Sequence, residues 1–124
     1  RVGVGPHAND PAGERRLPTG SRADSGAAFG SRADGYTYGW ETALPAANLI
    51  RRNAGRSQDL RYDTLCQMQA GGDHVWEIAV PNGPCSVLVA AGDPNSTSAS
   101  YRILAEDTLL LEGAPSADHR WVES

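Results

Sequence analysis

Three of the eight aromatic residues of this chain fall within Tyr36-Thr-Tyr-Gly-Trp40. Tyr36, Tyr38 and Trp40 in that run can form a platform for a sugar ring, because the negative face of an aromatic ring attracts the weakly positive C–H surface of a pyranose. The competing reading makes the same rings a plug at one end of a hydrophobic core. Asp93 and Glu112 lie near loop ends, where carboxylates could join backbone carbonyls around a Ca²⁺ ion. No loop dense in oxygen ligands accompanies them.

Reactive constellations are absent from the sequence. It contains no Gly-x-Ser-x-Gly elbow, no His-Glu-x-x-His and no phosphate-binding loop. The histidines, His7, His74 and His119, are scattered through polar contexts, and Asp63, Glu77 and Asp93 lack the spacing of a paired general acid and base. The expectation is a protein that binds without catalysing. A net charge of −4 with no basic stripe argues against a nucleic-acid partner. The longest apolar run, Val87 to Ala91, is far short of the roughly 20 residues that span a bilayer, so no membrane partner is expected. The chain starts at Arg1 with neither Met nor a signal sequence, as a mature, cleaved or excised chain would.

These residues need a scaffold, and 124 residues suffice for one domain. Fourteen glycines and eight prolines break the apolar residues into short runs, which favours strands and turns over a helical bundle. In Leu60 to Met68, Leu60, Tyr62, Thr64, Cys66 and Met68 alternate with Arg61, Asp63 and Gln67, the period of a half-buried strand. Trp76, Ile78 and Val80 repeat that pattern, and Pro81-Asn-Gly-Pro84 predicts a hairpin turn into a return strand from Cys85 to Ala91. Further strands are expected at 36–40, 100–105, 108–111 and from His119, with a helical turn or two after Pro45.

Residues 1–35 read as a coil-rich N-terminal arm that docks on the rest or on a neighbour. Within it, Ser21-Arg-Ala-Asp24 recurs as Ser31-Arg-Ala-Asp34, either by chance or as two similar turns. Cys66 and Cys85 both fall on the core-facing phase of their expected strands. A disulfide between them would stabilise the fold by about 3 kcal/mol and would imply an oxidising compartment; two buried free thiols are the alternative. Asn95-Ser96-Thr97 matches the glycosylation triplet, which matters only in a secretory host.

Five motifs occur in a characteristic order: Gly35-Tyr-Thr-Tyr-Gly-Trp40, Leu60-Arg-Tyr-Asp-Thr-Leu65, Trp76-Glu-Ile-Ala-Val-Pro-Asn-Gly83, Ser86-Val-Leu-Val89 and Gly92-Asp-Pro94. With Pro18-Thr-Gly and Asp24-Ser-Gly-Ala-Ala-Phe-Gly30 before them, they resemble the malectin-like domain of bacterial secreted and cell-surface proteins over residues 18–123. The resemblance implies an all-β, antiparallel jelly-roll β-sandwich over residues 36–124 that binds a glycan or polysaccharide outside the cell. Tyr38 and Tyr62 match aromatic positions of the malectin pocket, with Arg61 and Asp93 placed to hydrogen-bond sugar hydroxyls.

The chain departs from the family where malectin carries an aromatic pair, having Gly92-Asp-Pro-Asn95 instead. The family also continues past Trp-Val-Glu with further strands and an acidic pocket residue. The resemblance thus leaves three expectations open: more chain follows, the chain is processed, or a neighbouring subunit supplies the missing strand. Completion by a neighbour gives the alternative reading: a structural subunit of an extracellular filament or surface assembly that self-associates through an open sheet edge.

Overall fold

Glycines, prolines and acidic turn residues leave only short runs of chain free to pair, and the strands are correspondingly short. The computed structural model describes the backbone of residues 2–4 together with residues 19–52, 54–69 and 71–124. In chain order these form β1 (Val2–Val4), β2 (Arg22–Asp24), β3 (Gly30–Ser31) and β4 (Thr37–Trp40). A 3₁₀ turn at Ala46–Asn48 leads into β5 (Leu49–Arg51), and α1 (Leu60–Asp63) leads into β6 (Thr64–Cys66). Then come β7 (Trp76–Ile78), β8 (Ala90–Gly92), β9 (Tyr101–Ala105), β10 (Thr108–Gly113) and β11 (Trp121–Glu123). The class is all-β, as expected. Among the described residues no helix is long and apolar enough to cross a membrane.

Among the described residues the strands pair as five small sheets. β3, β4 and β7 form the largest, antiparallel throughout, with Tyr38 opposite Ile78 and Trp40 opposite Trp76. β5–β6, β9–β10 and β8–β11 are antiparallel pairs, and β1–β2 is parallel. Two backbone hydrogen bonds of 3.0 Å between Val89 and Ser124 lengthen the β8–β11 pair. The β9–β10 hairpin turns on Glu106 and Asp107, both at positive φ (45° and 64°). Left-handed conformation at both central residues gives a turn whose twist matches that of the flanking strands.

Several sequence expectations need correction. Leu60–Asp63 is one helical turn, because the Asp59 side chain caps it by accepting from the Arg61 N–H at 2.8 Å. The alternation therefore becomes a strand only over Thr64–Cys66. β7 pairs with β4, and the Pro81–Pro84 segment does not close a hairpin on it. Prolines on both sides of Asn82-Gly83 remove two of the N–H donors that a ladder there would use. The expected return strand shrinks to Ala90–Gly92 and pairs with β11. Ile78, Val80 and Val87 are exposed, and so is Cys85.

Across residue 35, β3 pairs with β4. The two Ser-Arg-Ala-Asp tetrads differ in form, one a strand and the other a turn. They share one device: Asp24 and Asp34 each accept the backbone N–H two residues ahead, from Gly26 at 2.7 Å and Tyr36 at 3.0 Å.

The core collects Tyr38, Trp40, Leu44, Leu60, Tyr62 and Leu111 around buried carboxyl groups. Asp24, 1% exposed, accepts Trp40 Nε1 at 3.0 Å and Trp76 Nε1 at 2.9 Å in addition to the Gly26 N–H. Asp63, equally buried, accepts the Ala54 N–H at 2.8 Å and lies 3.7 Å from the Arg51 guanidinium. Each acceptor satisfies donors that would otherwise be stranded in the interior.

Candidate functional site

The ends of β5, β6 and β8 and the start of β9 frame a cleft of about 290 Å³. Arg52, directly after β5, is held in place by its own N–H, which donates to the Asp63 carbonyl at 3.0 Å. Leu65 and Cys66 of β6, followed by Gln67 and Gln69, supply one wall. Asp93, Ser96, Ser98 and Ala99 supply the other, and Tyr101 opens β9 beside them. The second wall is built on a tight turn: Asp93 Oδ1 accepts the Asn95 N–H at 2.8 Å, and its carbonyl accepts the Ser96 N–H at 3.2 Å. Arg56 Nη1 clamps the same turn from behind by donating to the Pro94 carbonyl at 2.8 Å.

An ion pair crosses the cleft. Arg52 donates Nε to both Asp93 oxygens, at 3.0 and 3.1 Å, and Nη2 to Oδ2 at 2.5 Å. That hydrogen bond raises the Arg52 pKa against the opposing effect of burial. Burial, then the Asp93 charge, raises the Tyr101 pKa, while a hydrogen bond with Gln69 pulls it the other way. The Cys66 thiol is pushed up to about 12, chiefly by burial and then by the charge of Asp24. It therefore stays protonated and a poor nucleophile near neutral pH. Amides, hydroxyls, a paired guanidinium and carboxylate, and one partly buried ring suit hydrogen bonding to a polyhydroxylated ligand.

Of the residues that sequence reasoning assigned to sugar binding, only Asp93 lines this cleft. Tyr38, Trp40 and Tyr62 are 7%, 6% and 6% exposed, so their rings belong to the core and offer no open stacking face. Tyr38 donates its hydroxyl to the Ala23 carbonyl at 3.2 Å. Tyr62 donates to Glu123 Oε1 at 2.6 Å and meets Trp121 edge-on with centroids 5.3 Å apart. Tyr36 is exposed, but the Arg22 guanidinium covers its ring at 4.2 Å from the centroid. Arg61 is folded back onto Asp59 at 2.7 Å.

Glu112 stands on β10 opposite Arg102 and does not join Asp93. Among the described residues no three His, Cys, Asp or Glu side chains gather as a metal site. Cys66 and Cys85 are free thiols, so the expected bridge is not formed. Sequence reasoning missed Arg52, Gln67, Gln69, Ser96, Ser98 and Tyr101. The signal on offer was the Asp93-Pro94-Asn95 turn, a device that aims the following polar residues, with Tyr101 opening the strand beyond it.

Compared with protein-family models, curated proteins and solved structures, the chain has no significant match.

Proposed function

We propose that this chain is a non-catalytic carbohydrate-binding domain of a secreted or cell-surface protein, with its ligand seat in the cleft between β6 and the loop preceding β9. The observation that carries this reading is the lining itself: Gln67, Gln69, Ser96 and Ser98 surround the Arg52–Asp93 pair, with Tyr101 as the one aromatic face. Sugars bind through planar polar groups that exchange hydrogen bonds with hydroxyls, and through a ring that covers their C–H surface. The finer architecture, a malectin-like jelly roll, belongs to the same proposal and is supported by the ordered motifs and the all-β class. Tyr101→Ala is expected to weaken polysaccharide retention in affinity electrophoresis about tenfold, a loss of roughly 1.4 kcal/mol. Unchanged retention by a folded Tyr101→Ala protein would remove the cleft from the proposal.

A second reading, a self-associating structural subunit, is favoured by a different region. β7 lies at the margin of its sheet; Ile78 within it is 42% exposed, and Val75 and Val80 flanking it are 45% and 53% exposed. Val87 and Leu88, at 51% and 62%, add to the apolar surface of the following segment. A strand margin flanked by exposed apolar side chains is a template for pairing with another chain. On this reading the protein sediments as dimers or larger species that dissociate on dilution, and Ile78→Lys shifts it to monomer. A monomer at every concentration tested would end it.

A further inference from the structure

The charge balance of the cleft points further, on the premise that the cleft is a carbohydrate seat. We infer that it selects uncharged sugars and rejects anionic ones, such as uronic acids and sulfated sugars. Among the described residues of the lining Arg52 is the only cation, and Asp93 engages it through Nε and Nη2. The other polar groups of the lining carry no charge near neutral pH. Arg56, the cation behind the turn, spends its Nη1 on the Pro94 carbonyl and does not line the cleft.

An anionic ligand would have to displace Asp93 from Arg52 or enter beside a carboxylate already in place. Either route leaves a charge poorly compensated in a partly buried setting, where screening is weak. Two lining groups feel a neighbouring carboxylate. After burial, the next cause raising the Tyr101 pKa is the charge of Asp93, and for Cys66 it is the charge of Asp24. Uncharged hydroxyls meet no such opposition, and the fixed fork of Arg52 and Asp93 presents donors and acceptors to them already oriented.

The test uses the whole chain in affinity electrophoresis against matched neutral and anionic polysaccharides at low and high salt. Suitable pairs are dextran with dextran sulfate, and galactan with polygalacturonate, with mannan and alginate as additional probes. The expected result is retention by at least one neutral polymer, about tenfold or more above its anionic counterpart, and insensitive to salt. Asp93→Asn, which leaves Arg52 with its charge unopposed, is expected to narrow that difference and to introduce salt sensitivity. Should this variant unfold, the wild-type comparison decides alone. Equal or stronger retention by the anionic polymers, weakening with salt, would overturn the charge selection and leave carbohydrate binding standing. Retention by none of the six polymers would count against carbohydrate binding itself, and the charge selection would fall with it.

Discussion

Asp24→Ala is expected to lower the stability of the fold by about 4 kcal/mol, measured as the free energy of urea unfolding. The substitution leaves the indole N–H groups of Trp40 and Trp76 and the backbone N–H of Gly26 without their acceptor. An interior donor stranded in this way costs about 1–3 kcal/mol, and Trp76, being only partly covered, recovers some of that from water. Both indoles bond to the same oxygen, Oδ2, while Gly26 uses Oδ1. An asparagine oriented with its oxygen toward the tryptophans keeps two of the three bonds, so Asp24→Asn is expected to cost about 2 kcal/mol, roughly half as much. An alanine variant within about 1 kcal/mol of wild type would show that the carboxyl group is not the joint between the two indoles and Gly26.

Gly39→Ala is expected to be comparably damaging, for a reason of shape. Gly39 sits at φ +146°, a conformation that side-chain-bearing residues rarely adopt. A Cβ there would overlap Arg32 Nη2 and would stand 2.6 Å from the Ala27 carbonyl oxygen and 2.7 Å from that of Ala28. Those oxygens have little freedom to yield: Ala27 accepts the Trp40 N–H at 3.0 Å, and Ala28 accepts Arg32 Nη2 at 2.8 Å. Strain and overlap together are expected to cost about 3 kcal/mol, seen as a fall of roughly 10 °C in Tm. Gly35→Ala provides the control. That residue is also left-handed, at φ +86°, but has open space where a Cβ would go, so its cost is expected near 1 kcal/mol. Equal effects at the two positions would mean that backbone conformation, and not crowding by the 27–28 segment, governs Gly39.

Much of the strand content could be read from the sequence, because short-range signals decide it. The Thr37–Trp40 strand, the turn after Pro45, the β9–β10 hairpin around Glu106-Asp107 and the final strand at Trp121 all lie where local pattern places them. Failure begins where a local pattern fits two structures. Leu60, Tyr62 and Thr64 are buried as alternation predicts, yet Asp59 is also an N-cap, and its side chain turns the first four residues into a helix. Pairing partners were less legible still. The Asn82-Gly83 signal pointed to a neighbour in sequence, whereas β7 and β8 take partners far along the chain.

The candidate site was legible only at Asp93. An aromatic cluster reads alike from sequence whether it plugs a core or lines a surface, and the buried Asp24 drew Trp40 inward. The cleft residues that replaced it are dispersed from Arg52 to Tyr101. Their association depends on the Arg52–Asp93 contact across 41 positions, which no periodicity announces.

The shared acceptor for two indoles also divides what light can report about this molecule. Trp40 and Trp76 converge on Asp24, Trp121 packs against Tyr62, and no tryptophan borders the cleft. Intrinsic tryptophan emission at Trp40 and Trp76 thus follows the integrity of the interior around Asp24. Trp121, paired opposite Gly92 one position before Asp93, is the indole placed to sense the cleft edge as well.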